Sequence, residues 1–460
     1  MEGPETSPGR RAAYNRDWTK GNIFRNLLSL SWPMVVTNSL MMLGPTIDMV
    51  WVGKLGSSAI AGVGVAGIAV QLVVTAMMGI MMGVRAMVAR FIGAGDEASA
   101  NHVARQAFAI SAVSSIVLAV IGFFLAERIM ALFGLEAEVV AEGAAYLRIQ
   151  FIGSVAMSFR LVAEFVMQAS GDTVTPMKIA IGYRILHVAV APFLIFGWWI
   201  FPNLGVSGAA LTNVISQSLG MVAGLWVLFS GRSRLKLNFR NFRIDINIIW
   251  RIVKIGFPAL VSGMQRSVSQ LIIMKLVSPF GTMAVAAHTV NQRIEMMLMM
   301  PAMSFGMAAG VLAGQNLGAG QPERAEKSGW LAVGLAEGLM ITGSIAILVA
   351  AEPIVRLFNT EPELVEIAST FLRIAVTGYV VLGFMGVLMQ TLSGAGDTLP
   401  AMIVSLATMW LITLPLAYYL PKITDLGVYG VRWGMVSGMV IPSIVLTLYF
   451  RLGRWKRKKV

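Results

Sequence analysis

The chain has 460 residues, 57% of them apolar and only 13% charged, with 36 Lys and Arg against 23 Asp and Glu. A soluble domain carries about 25% charged residues, so this composition excludes a water-soluble fold and points to a bilayer as solvent. No Cys is present, which excludes a disulfide frame and a thiolate metal site.

A formal charge of +13 raises nucleic acid as a partner, but the distribution of the charge argues against it. Basic residues gather in the N-terminal segment (Arg10, Arg11, Arg16, Lys20, Arg25), in Arg232–Arg243 and in Arg454–Lys459, each beside an apolar run. That is the pattern of Lys and Arg retained on the cytoplasmic side during insertion. A nucleic-acid patch would gather the basic residues on one folded surface, whereas each run here flanks an apolar segment. The polar, Arg-bearing start of the chain does not read as a cleavable signal peptide.

Runs long enough to cross a hydrocarbon core of ~30 Å predict twelve spans. They lie at 24–53, 59–90, 102–126, 138–169, 173–198, 205–230, 247–278, 284–315, 327–350, 363–393, 398–420 and 427–451. The first holds Pro33 and, 15 residues on, Asp48 in its outer half. The fourth holds Arg160 and Glu164 at i, i+4, one helix face, so an internal ion pair is one reading. The other places Glu164 with Asp48 in a cation site and Arg160 toward substrate. The fifth holds Arg184 and His187 ahead of Pro192, and the sixth Asn213. His187 is either a titrating group near neutral pH or a core histidine satisfied by a carbonyl. The seventh holds Pro258, Gln265 and Arg266, the eighth Asn291, Gln292, Arg293, Glu295 and Pro301. Arg293 and Glu295 are expected to pair. Leu331–Ala350 in the ninth carries almost nothing ionisable, and Ala375–Thr391 in the tenth carries no acid. Ionisable groups in hydrocarbon cost a few kcal/mol each, so every one of these is a candidate site.

With the N-terminus inside, the inner loops receive Arg90, Arg105, Lys178, the 232–254 segment, Arg324 and Lys327. The outer loops receive only Lys54, Arg128, Arg356 and Lys422. Both termini are therefore expected in the cytoplasm.

A self-match holds at an offset of 225 residues. Trp32-Pro33 falls on Phe257-Pro258, Gly93-Ala94-Gly95 on Gly318-Ala319-Gly320, Ala126-Glu127 on Ala351-Glu352, Leu147-Arg148 on Leu372-Arg373, and Gly171-Asp172-Thr173 on Gly396-Asp397-Thr398. The repeat divides the chain into a tail (1–22), an N-lobe (23–230), a basic linker (231–246), a C-lobe (247–451) and a second basic tail (452–460). The expected fold is an all-α integral membrane protein with 12 transmembrane helices in two six-helix lobes. Because each half has an even number of spans, a pseudo-two-fold axis along the membrane normal should relate them, with a substrate site near the midplane. The twin Gly motifs read as tight turns, with Asp172 and Asp397 as helix N-caps.

Several motifs together resemble the MATE (multidrug and toxic compound extrusion) family of the wider flippase-like superfamily. They are Asp48-x3-Val52-Gly53-x-Leu55-Gly56, Gly93-Ala94-Gly95-Asp96, Gly171-Asp172-Thr173-x2-Pro176-Met177, Gly205-Val206-x-Gly208-Ala209-Ala210, Ala286-Ala287-His288 and Gly314-Gln315-Asn316-Leu317-Gly318-Ala319-Gly320. The resemblance covers roughly residues 20–450. It implies a secondary exporter in which Na⁺ or H⁺ entry drives small-molecule expulsion, with no cofactor. It also implies a coupling carboxylate at Asp48, holding Na⁺ or a proton, and a helix-bending proline at Pro33. One branch of the family carries Asn-x3-Asp-Pro in the fifth span, where this chain has His187 and Ala191. Another carries a Glu eight residues after the seventh-span proline and an Asp in the tenth span. Here Arg266 stands at the first place and no acid at the second, so coupling is expected in the N-lobe, at Asp48, Glu164 and His187.

Arg85, Arg160, Arg184 and Arg266 outnumber Asp48 and Glu164 among the embedded charges. Either the arginines pair and the cargo is a lipophilic drug, or the cavity is basic and the cargo anionic. Arg160, Arg184, Arg266, Gln265 and Asn213 are the candidate cavity or charge-partner residues. A flippase or exporter of anionic or lipid-linked substrates is the alternative function. A membrane enzyme would need a clustered nucleophile or metal set, and His102, His187 and His288 lie far apart. The expected setting is the inner membrane of a prokaryote, the chain a monomer whose partners are lipids and a small-molecule substrate.

Overall fold

The computed structural model describes residues 16–199, 202–240, 242–458 and 460. Arg10, Arg11 and most of the 1–22 tail, linker residue 241, and Lys459 lie outside the described residues. All regular structure among the described residues is helical. In chain order the spans are α1 (Ile23–Val52), α2 (Ser57–Gly93), α3 (Glu97–Ala131), the two limbs of α4 (Ala137–Ile152 and Ser154–Ser170), α5 (Val174–Phe196) and α6 (Gly205–Ser230). They continue as α7 (Ile246–Val277), α8 (Thr282–Gly318), α9 (Pro322–Arg356), α10 (Pro362–Gly394), α11 (Leu399–Ile423) and α12 (Val428–Leu452). Among the described residues eleven helices are long and apolar enough to cross a bilayer, and the two limbs of α4, counted as one bent span, bring the number to twelve. The outward faces stay apolar: Phe124 is 70% exposed and Leu411 73%, an arrangement stable only against lipid.

Two departures from regular helix stand out. The predicted continuous fourth span bends by 49° at Gly153. A Cβ there would lie 2.3 Å from the side chain of Val214, so the glycine lets α4 bend against α6. In α11 the five residues Met409–Thr413 form a π-turn just ahead of Pro415. Proline lacks the amide that would continue the α-ladder, and a wider turn re-satisfies the freed carbonyls.

The chain forms two compact units, one comprising Val36–Val253 with the segment ending at Trp18, the other Thr19–Val35 with Lys254–Val460. Pro33 thus falls in the second unit and Asp48 in the first. Within the first unit α2, α3 and α4 pack on one another, α4 packs on α6, and α6 on α5. Within the second, α8, α9 and α10 pack mutually, α10 packs on α12, and α12 on α11. This is the same adjacency at the repeat offset. It extends to single contacts: Arg148 pairs with Glu127 at 2.9 Å, and their register partners Arg373 and Glu352 pair at 3.4 Å. The turn glycines match as well, with φ of 98° at Gly171 and 84° at Gly396, a region open to glycine without Cβ strain.

The two Asp residues that follow these glycines differ. Asp172 accepts from the Thr175 amide at 3.1 Å and caps α5 as expected. Asp397 is no cap: it accepts from the Tyr449 hydroxyl at 2.5 Å and pairs with Lys458 at 3.2 Å. The expectation fails there because Pro400 stands where Thr175 follows Asp172, and proline has no amide to donate.

Candidate functional site

The first unit brings polar residues from four helices into one buried stripe. At one end Asp48 of α1 meets His187 of α5, with 2.9 Å between Oδ1 and Nε2. Their side chains are 3% and 1% exposed. Asp48 Oδ2 is buried and has no hydrogen-bond partner among the described residues. An ionised carboxylate with one free oxygen in such a place is costly; a proton or cation on that oxygen relieves the cost.

One turn before Asp48 on α1, Gly44 makes room for the Arg184 guanidinium, which a Cβ at that position would strike. Arg184 and Tyr146 are both close enough to interact electrostatically with Asp48. Arg184 also lies over the Tyr183 ring at 5.4 Å, and Arg160 lies over the same ring at 5.0 Å. Tyr183 therefore links the Asp48 end of the stripe to the α4 end.

At the α4 end Arg160 and Glu164 form the ion pair that their i, i+4 spacing allows, 2.7 Å apart and 5% and 8% exposed. Gln168, one further turn along, donates to Glu164 at 3.1 Å. Arg160 Nε donates to Gln217 of α6, whose amide in turn donates to Asn213 at 3.4 Å. Gly220 faces the Arg160 stem, where a Cβ would come within 2.7 Å. A crevice of about 10 Å³ beside Arg160, Glu164 and Tyr183 leaves room for about one water. Asp48, His187, Arg184, Arg160, Glu164 and Asn213 thus belong to one continuous network.

Candidates in the second unit are arranged differently. Gln265 of α7 is engaged by Ser405 of α11, donating to its carbonyl and accepting from its hydroxyl at 3.1 Å each. Arg266, the next residue around the helix, is exposed and forms no hydrogen bond or ion pair among the described residues. Arg293 and Glu295 do not pair. Glu295 instead takes Arg432 of α12 at 3.2 Å and the Tyr379 hydroxyl at 3.4 Å. Residues two apart on a helix point to different sides, which is the physical reason.

Sequence reasoning passed over Arg432 and Glu337. Glu337 lies in the ninth span, read as nearly free of ionisable groups, and is only 7% exposed. The signal was available: a single acid in an apolar run is itself a flag. Among the described residues no group of three or more His, Asp or Glu is placed to hold a metal ion.

Comparison with known proteins agrees with this architecture. The MatE family model matches residues 33–193 and 258–419, one copy in each half. A protein described as "Probable multidrug resistance protein NorM" of Thermotoga maritima is 26% identical over 442 residues, covering 95% of this chain and 94% of that one. Among solved structures, a MOP superfamily transporter from Pyrococcus furiosus superposes with a TM-score of 0.89 at 22% identity, covering 99% of this chain and 100% of that one. It is described as having a binding pocket of reverse polarity that suggests a different function. A MATE protein solved in complex with MaD3S has the same TM-score and identity, over 97% of this chain and 98% of that one. With the family model matched in both halves and the fold shared with solved members, the chain belongs to the MatE family: it is a MATE transporter, not an enzyme.

Proposed function

We propose that this chain is a secondary active exporter of drugs or metabolites. Proton entry drives it by alternating access, and the coupling site lies in the N-lobe at Asp48 and His187. The observation that carries this reading is the buried Asp48–His187 pair with one carboxylate oxygen left open. A carboxyl and an imidazole in contact share one proton readily. Sodium would want several oxygen ligands, whereas an imidazole occupies the first oxygen here. Proton arrival changes the charge facing Arg184, and Tyr183 passes the change to the Arg160–Glu164 pair. Arg160, Arg184 and Asn213 then act as charge partners or cavity residues, and Pro33 as the bend in α1. Lobe boundaries follow the repeat, the linker and both termini face the cytoplasm by the distribution of Lys and Arg, and the membrane is the inner membrane of a prokaryote. A monomer contains the whole of the site.

Two facts support lipophilic cargo rather than anionic. Arg160 and Arg432 are neutralised by Glu164 and Glu295, and the Thermotoga relative is described as a multidrug resistance protein. A second reading, export of anionic or lipid-linked substrates, rests on unpaired Arg266 and Gln265 beside it, and on the reversed pocket polarity described for the Pyrococcus transporter. Proteoliposomes holding the full chain, given separate pH and Na⁺ gradients, decide between them. Accumulation of rhodamine 6G under the pH gradient alone is expected. Accumulation only under the Na⁺ gradient would overturn the proton assignment, and lipid scrambling with no gradient-driven uptake would establish the second reading.

A further inference from the structure

The C-lobe holds a carboxylate that the N-lobe mechanism does not use. Glu337 lies about 22 Å along α9 from Pro322 and about 28 Å from Arg356, close to the middle of the span. It is 7% exposed, yet it has no ion-pair partner among the described residues. Its Oε1 accepts from the backbone amide of Phe384, in the middle of α10, at 2.8 Å. Its Oε2 is buried and has no partner among the described residues. The approach depends on Gly383, where a Cβ would lie 2.7 Å from Oε1. The apposition is therefore built into α10 by sequence, not left to a flexible side chain.

We propose that Glu337 is a proton-binding site of the C-lobe that fastens α10 at Gly383–Phe384 when ionised and loosens it when protonated. An ionised carboxylate competes well for the Phe384 amide against the Val380 carbonyl, the ordinary acceptor four residues back. Protonation on the open Oε2 removes the charge and leaves Oε1 a weaker, neutral acceptor, so its hold on the Phe384 amide loosens. The ligand is a proton and not a metal cation. Only one carboxylate is present, and the group opposite it is an N–H, whose positive end repels a cation.

The surroundings leave Glu337 to titrate alone. The titratable groups of α8 are His288, Arg293 and Glu295, and those of α10 are Glu363, Glu366, Arg373 and Tyr379. On α12 they are Tyr429, Arg432, Tyr449 and Arg451. None makes a hydrogen bond or ion pair with Glu337. Glu295, Tyr379 and Arg432 are committed to one another, and Arg373 to Glu352. The charges of α9 itself lie toward its ends, at Glu323–Lys327 and at Glu352–Arg356.

The test uses the full chain in liposomes. Infrared difference spectra between acidic and basic buffer should contain a carboxylic-acid band that Glu337→Gln removes. The Gln carbonyl can still accept from Phe384, so the variant is expected to fold. On the wild type alone, protection of the Phe384 amide, taken relative to its base-catalysed intrinsic exchange rate at each pH, should fall by about tenfold as the carboxyl protonates, the effect of weakening a charged hydrogen bond. Spectra identical in wild type and Glu337→Gln, or an amide whose exchange shows no such step with pH, would overturn the proposal.

Discussion

At the scale of single residues, the N-lobe stripe combines groups whose energetics pull in opposite directions. Arg160 and Glu164 are both buried, and breaking a buried pair leaves an uncompensated charge. Glu164→Met alone should cost about 3–5 kcal/mol, whereas Arg160→Met with Glu164→Met should cost much less than the two single changes summed. Unfolding in detergent across that double-mutant cycle measures the coupling. The pair itself was legible in the sequence because i, i+4 spacing places both groups on one helix face. Asp48 and His187 were grouped only through the family resemblance, since the two are 139 residues apart and nothing local specifies that α1 and α5 meet there. Glu295 shows the opposite failure: a near neighbour, Arg293, looked like a partner while the real one stood on α12.

At the scale of helices, apolar length identified every span, but glycines set how closely the spans approach. In α10 a Cβ on Gly394 would lie 2.1 Å from the Gly310 carbonyl of α8, whereas Gly386 faces open space. Gly394→Ala should therefore destabilise by about 1–3 kcal/mol through overpacking. Gly386→Ala should be neutral or slightly stabilising, by up to about 1 kcal/mol, since alanine is the better helix former. Thermal unfolding of the two variants in detergent compares them directly. The bend in α4 was not legible because Gly153 has a register partner, Gly378, in the continuous helix α10. The same residue type bends one copy and leaves the other straight, and the packing partner decides: Val214 faces Gly153, while Met439 faces Gly378.

At the scale of the whole chain, the duplication was legible from the fixed offset, and it reappears as equal helix adjacency and as twin Arg–Glu pairs. Its chemistry diverged between halves, which no repeat pattern foretells. The linker is held to the first unit by His102, which meets Asp245 at 3.0 Å, and by Gln106, which donates to the Arg243 carbonyl at 2.8 Å. The His102 contact, then the Ile248 amide, hold the Asp245 carboxyl below its usual range. A depressed carboxyl contributes stability above its unfolded value and loses it as pH falls through the folded one. The linker should therefore resist protease at neutral and mildly acidic pH and open only below the ordinary carboxylate range, while Asp245→Asn should be cleaved faster already at neutral pH. Proton coupling through Asp48 is the central claim, and Asp48→Asn keeps a hydrogen-bonding group toward His187 while removing the titrating one. The direct measurement is rhodamine 6G uptake by proteoliposomes of wild type and Asp48→Asn under a pH gradient. The expected result is a fall of about tenfold or more in the variant, the scale of losing one coupled charge interaction; uptake equal to wild type would contradict it.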